Sequence, residues 1–169
     1  MAREIKQSFP IIYHSVQHLL QHKLLLKDEH KLINLDYQHH FSCWAYIESL
    51  RTEDFLTLHK EIKPFIEEVM KKMENFYTLL IFGSYAEYKQ TSRSDVDILM
   101  IIDQPAETEQ QERFLKRIAD LYLPQAHIQV ISQNDAREMG REKNLNVMKE
   151  TLDKHIILFG AEDYYRFIA

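Results

Sequence analysis

The sequence predicts an α/β (α+β) fold: a mixed β-sheet flanked by helices, preceded by a small module of one helix and a β-hairpin. Three observations predict it. Apolar runs of strand length, YTLLIF, DVDILMII and AHIQVIS, are separated by a polar loop and by a charged amphipathic stretch from Glu107 to Leu123. Apolar residues at spacings of three and four, the mark of helices with one buried face, lie on either side of this block. The first forty residues carry a pattern of their own, one helical stripe and then two short apolar runs.

From Phe9 to Leu24 the stripe is Phe9, Ile12, Tyr13, Val16, Leu19 and Leu20, with Ser8 and Pro10 suited to a helix start. LLLKDEHKLINLDY then reads as a hairpin with a polar turn. His39 to Arg51 reads as a helix with Phe41, Trp44, Ala45, Ile47 and Leu50 inward. A further helix is expected from about Phe55 to Glu74, kinked or broken near Pro64. The strand block follows, then a helix from about Asn134 to Lys154, the short run HIILFG and the aromatic segment DYYRFI. The expected division is a helix-and-hairpin module over 1–38, a linker helix over 39–54 and the sheet domain over 55–169.

Composition narrows the function classes. The hydrophobic share of 45% and charged share of 28% are those of a folded globular protein and exclude a disordered or collagen-like chain. Cys43, the single cysteine, has no partner for an intramolecular disulfide and no second thiol for a metal, which favours a reducing compartment. MAREIKQSFP lacks the apolar core of a secretory signal, and the runs Leu79 to Phe82 and Ile98 to Ile102 are too short to span a bilayer. A cytoplasmic location with no membrane partner is therefore expected. A formal net charge of -5 argues against a surface that grips nucleic acid throughout.

The chemistry concentrates between residues 83 and 97. Asp95 and Asp97, two apart on an expected strand, project from one face, roughly 6 to 7 Å apart. At that distance like charges repel by about 3 kcal/mol at an effective dielectric of 20, and a divalent cation reverses the sign. Mg²⁺, or Mn²⁺ in its place, is the natural occupant, since it is held through one or two carboxylates plus substrate phosphates. Gly83 and Ser84 end the strand before this pair: glycine allows close backbone approach, and serine offers a hydroxyl and an amide to a phosphate. If Ser84 to Glu87 begin a helix, its N-terminal field favours anions further. In outline this is a nucleoside triphosphate site.

GSYAEYKQTSRSDVDILM, Gly83 to Met100, resembles the nucleotidyltransferase superfamily that includes DNA polymerase beta, and its minimal stand-alone members in particular. The shared pattern is Gly-Ser, a loop of about ten residues and Ser-Asp-x-Asp before apolar residues; HIILFG is similar to the family's closing strand and turn. The resemblance implies that Gly83 and Ser84 hold the triphosphate and that Asp95 and Asp97 bind the metals. It implies transfer of a nucleoside monophosphate, such as AMP from ATP, to an acceptor, releasing pyrophosphate. The family's third carboxylate, on the later strand, falls on Gln129, an oxygen donor without charge and a poor general base. The family's common Ala-Arg-Gly is here Ala86, Glu87 and Tyr88, which replaces a cation with an anion and glycine with a bulky aromatic. Glu87 opposes a triphosphate unless it points away. These departures leave open a second reading, a catalytically inactive regulatory, antitoxin or DNA-binding protein.

Outside this segment the readings are blander. Lys89 and Arg93 suit either a phosphate contact or a solvated loop, and His14, His18 and His22 read as a polar helix face rather than a metal site. Tyr164, Tyr165 and Phe167 are expected to pack the C-terminal segment onto the core. Residues 9–37 are similar to the recognition helix and wing of a winged helix-turn-helix domain, with REIKQSFPIIYHSVQHL in the register of turn and reading helix. That resemblance implies DNA as a partner. Residues 1–40 carry Arg3, Lys6, Lys23, Lys27 and Lys31 against Glu4, Asp28, Glu29 and Asp36, and six of the nine histidines. So even a balance favours a homodimer or a partner protein at least as well as DNA.

Overall fold

The computed structural model describes residues 8–36, 38–74, 76–142 and 144–169. The segment of the helix-turn-helix register from Arg3 to Gln7 therefore lies outside the described residues.

The strongest β-formers build the centre. Tyr77–Phe82 (β3) and Val96–Ile102 (β4) pair antiparallel, β4 pairs in parallel with Ala126–Ser132 (β5), and Ile156–Phe159 (β6) lies antiparallel on the other side of β3, giving the order β5-β4-β3-β6. All six residues of β3 are buried, the near-continuous apolar run expected of a strand covered on both faces. Thr108–Tyr122 (α5) joins β4 to β5 as the crossover that a parallel pair requires.

The pleat sorts the core into two layers. Leu79, Ile81, Ile98, Met100, Ile128 and Val130 face α5 and Lys63–Lys72 (α3). Leu80, Phe82, Leu99, Ile101 and Ile157 face the other way, onto Trp44 of Phe41–Leu58 (α2), Ala136 of Gln133–Arg141 (α6), Met148 of Val147–Asp153 (α7), and Tyr164 and Tyr165 of Ala161–Ile168 (α8). Tyr164 and Tyr165 are thus packing residues, as expected of the C-terminal aromatic segment. Gly160 precedes α8 at φ +75, and a Cβ there would strike the carbonyl oxygen of Tyr77, so glycine is required at this turn.

Two helices differ from expectation. α2 runs unbroken through Leu58, and its inner face is Trp44, Glu48 and Phe55, with Ile47 and Leu50 exposed. Glu48 tolerates burial because Oε1 accepts from the Tyr165 hydroxyl at 2.8 Å and from Arg51. The chain then breaks at residues 59–62 and restarts with Pro64 in the first turn of α3, where the missing amide costs nothing. The helix expected from Asn134 to Lys154 is in fact α6 and α7. Asn146 divides them: its Oδ1 accepts from the Lys149 amide at 3.1 Å, capping α7, while its Nδ2 donates to the Met139 carbonyl at 2.7 Å.

α2 packs along α8 and β6. Thr52 Oγ1 donates to the Ile157 carbonyl of β6 at 2.7 Å and Arg51 to the carbonyl of His155, just before the strand, at 2.8 Å, so α2 is bonded to β6 and to its approach. The N-terminal unit comprises Phe9–Gln21 (α1), Leu25–Lys27 (β1) and Ile33–Leu35 (β2), the last two an antiparallel hairpin. No residue of α1 is buried.

Candidate nucleotide site

Asp97 is the one residue of β4 that is not fully buried. It pairs with Phe82, the last residue of β3, so it stands where the chain leaves the sheet through Gly83. Gly83 takes φ +65, and the space of its missing Cβ is filled by Asp97 Oδ2. The bend and the carboxylate therefore fit one another, and any side chain at 83 would displace Asp97.

Gly83–Ala86 (α4) is a single helical turn, so the short helix weighed from the sequence is present and begins one residue earlier. The first amides of such a turn have no acceptor within it. Ser84 is half-buried here. Asp95 lies just before β4 rather than on it, in the segment that follows a loop closed by Ser94, whose Oγ accepts from the Thr91 amide at 2.9 Å. Burial pushes the Asp97 carboxyl above its ordinary range; the His127 imidazole pulls it down and the Asp95 charge raises it further.

β5 supplies the neighbours. His127 stands directly across from Asp97, its Nδ1 3.5 Å from Oδ1. Gln129 pairs with Leu99, on the same face but two residues further along the sheet. Sequence reasoning missed His127, although the alternation in AHIQVIS puts it on the same face as Gln129.

The donor set suits a hard cation. Asp95 and Asp97 offer carboxylate oxygens, the kind and number of protein ligands that Mg²⁺ takes when phosphates complete its shell. Among the described residues, no group of three or more His, Cys, Asp and Glu side chains forms a metal cluster.

The loop after α4 explains the unusual residues there. Tyr88 sits at φ +56, a conformation that glycine adopts without strain, and its ring lies against Phe55 and His59 at centroid distances of 6.2 and 6.4 Å. Glu87 points at cations: Lys89 Nζ lies 2.6 Å from Oε2, and Lys154 Nζ lies 2.9 Å from Oε1. Its carboxyl is held down to about 2 by the hydrogen bonds from Lys89 and Lys154.

Among curated proteins, none matches this sequence. A crystal structure of a toxin-antitoxin with AMP-PNP superposes with a TM-score of 0.40 at 14% identity, covering 63% of this chain and 82% of the other. The family model "Polymerase beta, Nucleotidyltransferase" matches residues 60–162, a span holding the strand block, the Gly83 bend and both acids. The chain belongs to the polymerase beta nucleotidyltransferase family.

Proposed function

We propose that this protein is a Mg²⁺-dependent nucleotidyltransferase that moves a nucleoside monophosphate, AMP from ATP, to an acceptor. The observation that carries the reading is the fit of the Asp97 carboxylate into the Cβ space of Gly83, which supports a phosphate-binding role for that bend beside the acid. Asp95 and Asp97 would hold the divalent cation, with the Gln129 carbonyl oxygen as a neutral donor from the same face of the sheet. The cation, when bound, supplies charge neutralisation for the attacking and leaving oxygens. The residues do the rest: Gly83 lets the triphosphate approach the backbone, Ser84 donates to it, and His127 steadies Asp97. An oxygen of the acceptor attacks the α-phosphorus and the bond to pyrophosphate breaks. Residues 55–169 are the transferase domain in this reading, 39–54 the linker helix and 1–38 a winged-helix-like module.

A second reading is favoured by the placement of Gln129 beside Leu99, where a carboxylate would complete the acid set. In that reading the domain binds nucleotide without turnover and serves a regulatory or antitoxin role, with DNA or a partner protein on the N-terminal module.

α-Labelled ATP with Mg²⁺ or Mn²⁺, offered to protein, RNA and small-molecule acceptors, separates the two. Transfer by the native chain that disappears in Asp95→Asn and Asp97→Asn supports the enzyme. Label that persists unchanged in both variants removes it. An ATP-dependent rise in melting temperature without label transfer establishes the second reading.

A further inference from the structure

We propose that Lys89, Glu87 and Lys154 together form the cationic seat for the β- and γ-phosphates of the bound nucleotide; this rests on the nucleotide reading above. The sequence alone makes Glu87 a liability, an anion where related chains carry arginine. The geometry reverses the sign. Each carboxylate oxygen is taken by a different ammonium, Oε2 by Lys89 at 2.6 Å and Oε1 by Lys154 at 2.9 Å, so the cluster as a whole carries one net positive charge. Glu87 stays ionised at neutral pH, since its carboxyl is held down to about 2.

Backbone contacts tie the cluster to the bend. The Glu87 amide donates to the Gly83 carbonyl at 3.1 Å, and the Lys89 amide to the Ser84 carbonyl at 2.9 Å. Both residues are thus fixed within one turn of the residues that would receive the triphosphate. Lys154 comes from the junction of α7 and β6, so the far half of the domain contributes to the same seat. An ammonium has three N–H donors, and the contact with Glu87 occupies one of them, leaving donors to meet phosphate oxygens. Glu87 is a positioning residue here: it gathers two flexible lysines that would otherwise disperse into solvent. Arginine would reach the same oxygens from a single side chain; this chain composes the cation from three.

The test measures binding to the full-length protein, by calorimetry, of ATP, AMP and inorganic triphosphate. Lys154→Ala takes the cluster from one positive charge to none, and Lys154→Ala with Glu87→Gln restores it. The expected result is an ATP and triphosphate affinity lowered about fivefold to tenfold in Lys154→Ala, AMP affinity nearly unchanged, and most of the loss recovered in the double variant. Lys89→Ala, on an exposed loop side chain, should repeat the loss without touching the α7–β6 junction. Unchanged ATP affinity in both lysine variants overturns the inference alone. So does an equal loss for ATP and AMP that Glu87→Gln fails to recover, because that pattern marks a structural contact. A native chain that binds none of the three probes overturns the nucleotide reading itself, and this inference with it.

Discussion

The N-terminal unit and the sheet domain carry the same kind of apolar periodicity and spend it differently. In α1 the stripe Phe9, Ile12, Tyr13, Val16, Leu19 and Leu20 leaves Phe9 71% and Tyr13 52% exposed, and nothing in the helix is buried. In α3 and α5, stripes of the same spacing bury Phe65, Val69 and Leu115 completely. Periodicity announces that a face exists; it says nothing of whether the same chain supplies the cover. A 13-residue helix and strands of three residues are marginal structures without tertiary support. The sheet domain is the opposite, a core closed on both sides.

The contrast is testable by matched substitutions. Leu80→Ala in β3 should cost about 3 kcal/mol in chemical denaturation, because a fully buried leucine leaves a cavity, whereas Leu26→Ala in the hairpin should cost less than about 0.5 kcal/mol. Equal losses would abolish the distinction. Next in size is Gly83→Ala, which combines a positive φ with displacement of Asp97 and should cost about 2 kcal/mol. The ATP-dependent rise in melting temperature should vanish in the same variant, and an unaltered rise would separate the bend from the site.

A third comparison uses pH. His155 is half-buried in the domain, and its partial desolvation lowers its affinity for a proton below that of an ordinary histidine, against the raising effects of the Thr151 carbonyl and Glu48. The unfolded chain then binds more protons than the native one below about pH 6.5. Its contribution to stability is present above that pH and is lost as pH falls towards the depressed native value. His155→Gln should flatten this acid limb in a series of melts; an identical slope in the variant would refute the assignment. Smallest is Tyr88→Gly. Relief of the positive φ is worth about 1 kcal/mol, and loss of the half-buried ring costs about 2 kcal/mol, so the net change should be a loss of about 1 kcal/mol. A gain in stability would mean the backbone strain outweighs the ring contacts.

Much of this was legible because burial on both faces writes itself as an apolar run, YTLLIF, and burial of one face as an alternation, AHIQVIS; the two correspond to β3 and β5 residue for residue. The acid pair and the Gly-Ser bend were legible as a motif, and their closeness required only a hairpin of β3 and β4. The rest depends on register and on distant partners. His127 came into place because β5 aligns with β4 such that residue 127 meets 97, a choice no local pattern reveals. Glu48 was passed over in favour of Ile47 because a charge on an inner helix face is intelligible only once Tyr165, 117 residues away, is known to receive it. Glu87 misled for the same reason: Lys154 lies 67 residues off. The split of α6 from α7 did leave a local trace, in Asn146, whose short amide side chain competes with helical bonding.

The bonds from Thr52 and Arg51 to β6 and its approach have a consequence for how these molecules keep apart. A sheet border with bare carbonyls invites a strand from another molecule, the first step of runaway stacking; here the side chains of α2 occupy that border before any stranger can. A strand that recruited itself at β6 would first have to displace Thr52 from the Ile157 carbonyl and Arg51 from the His155 carbonyl.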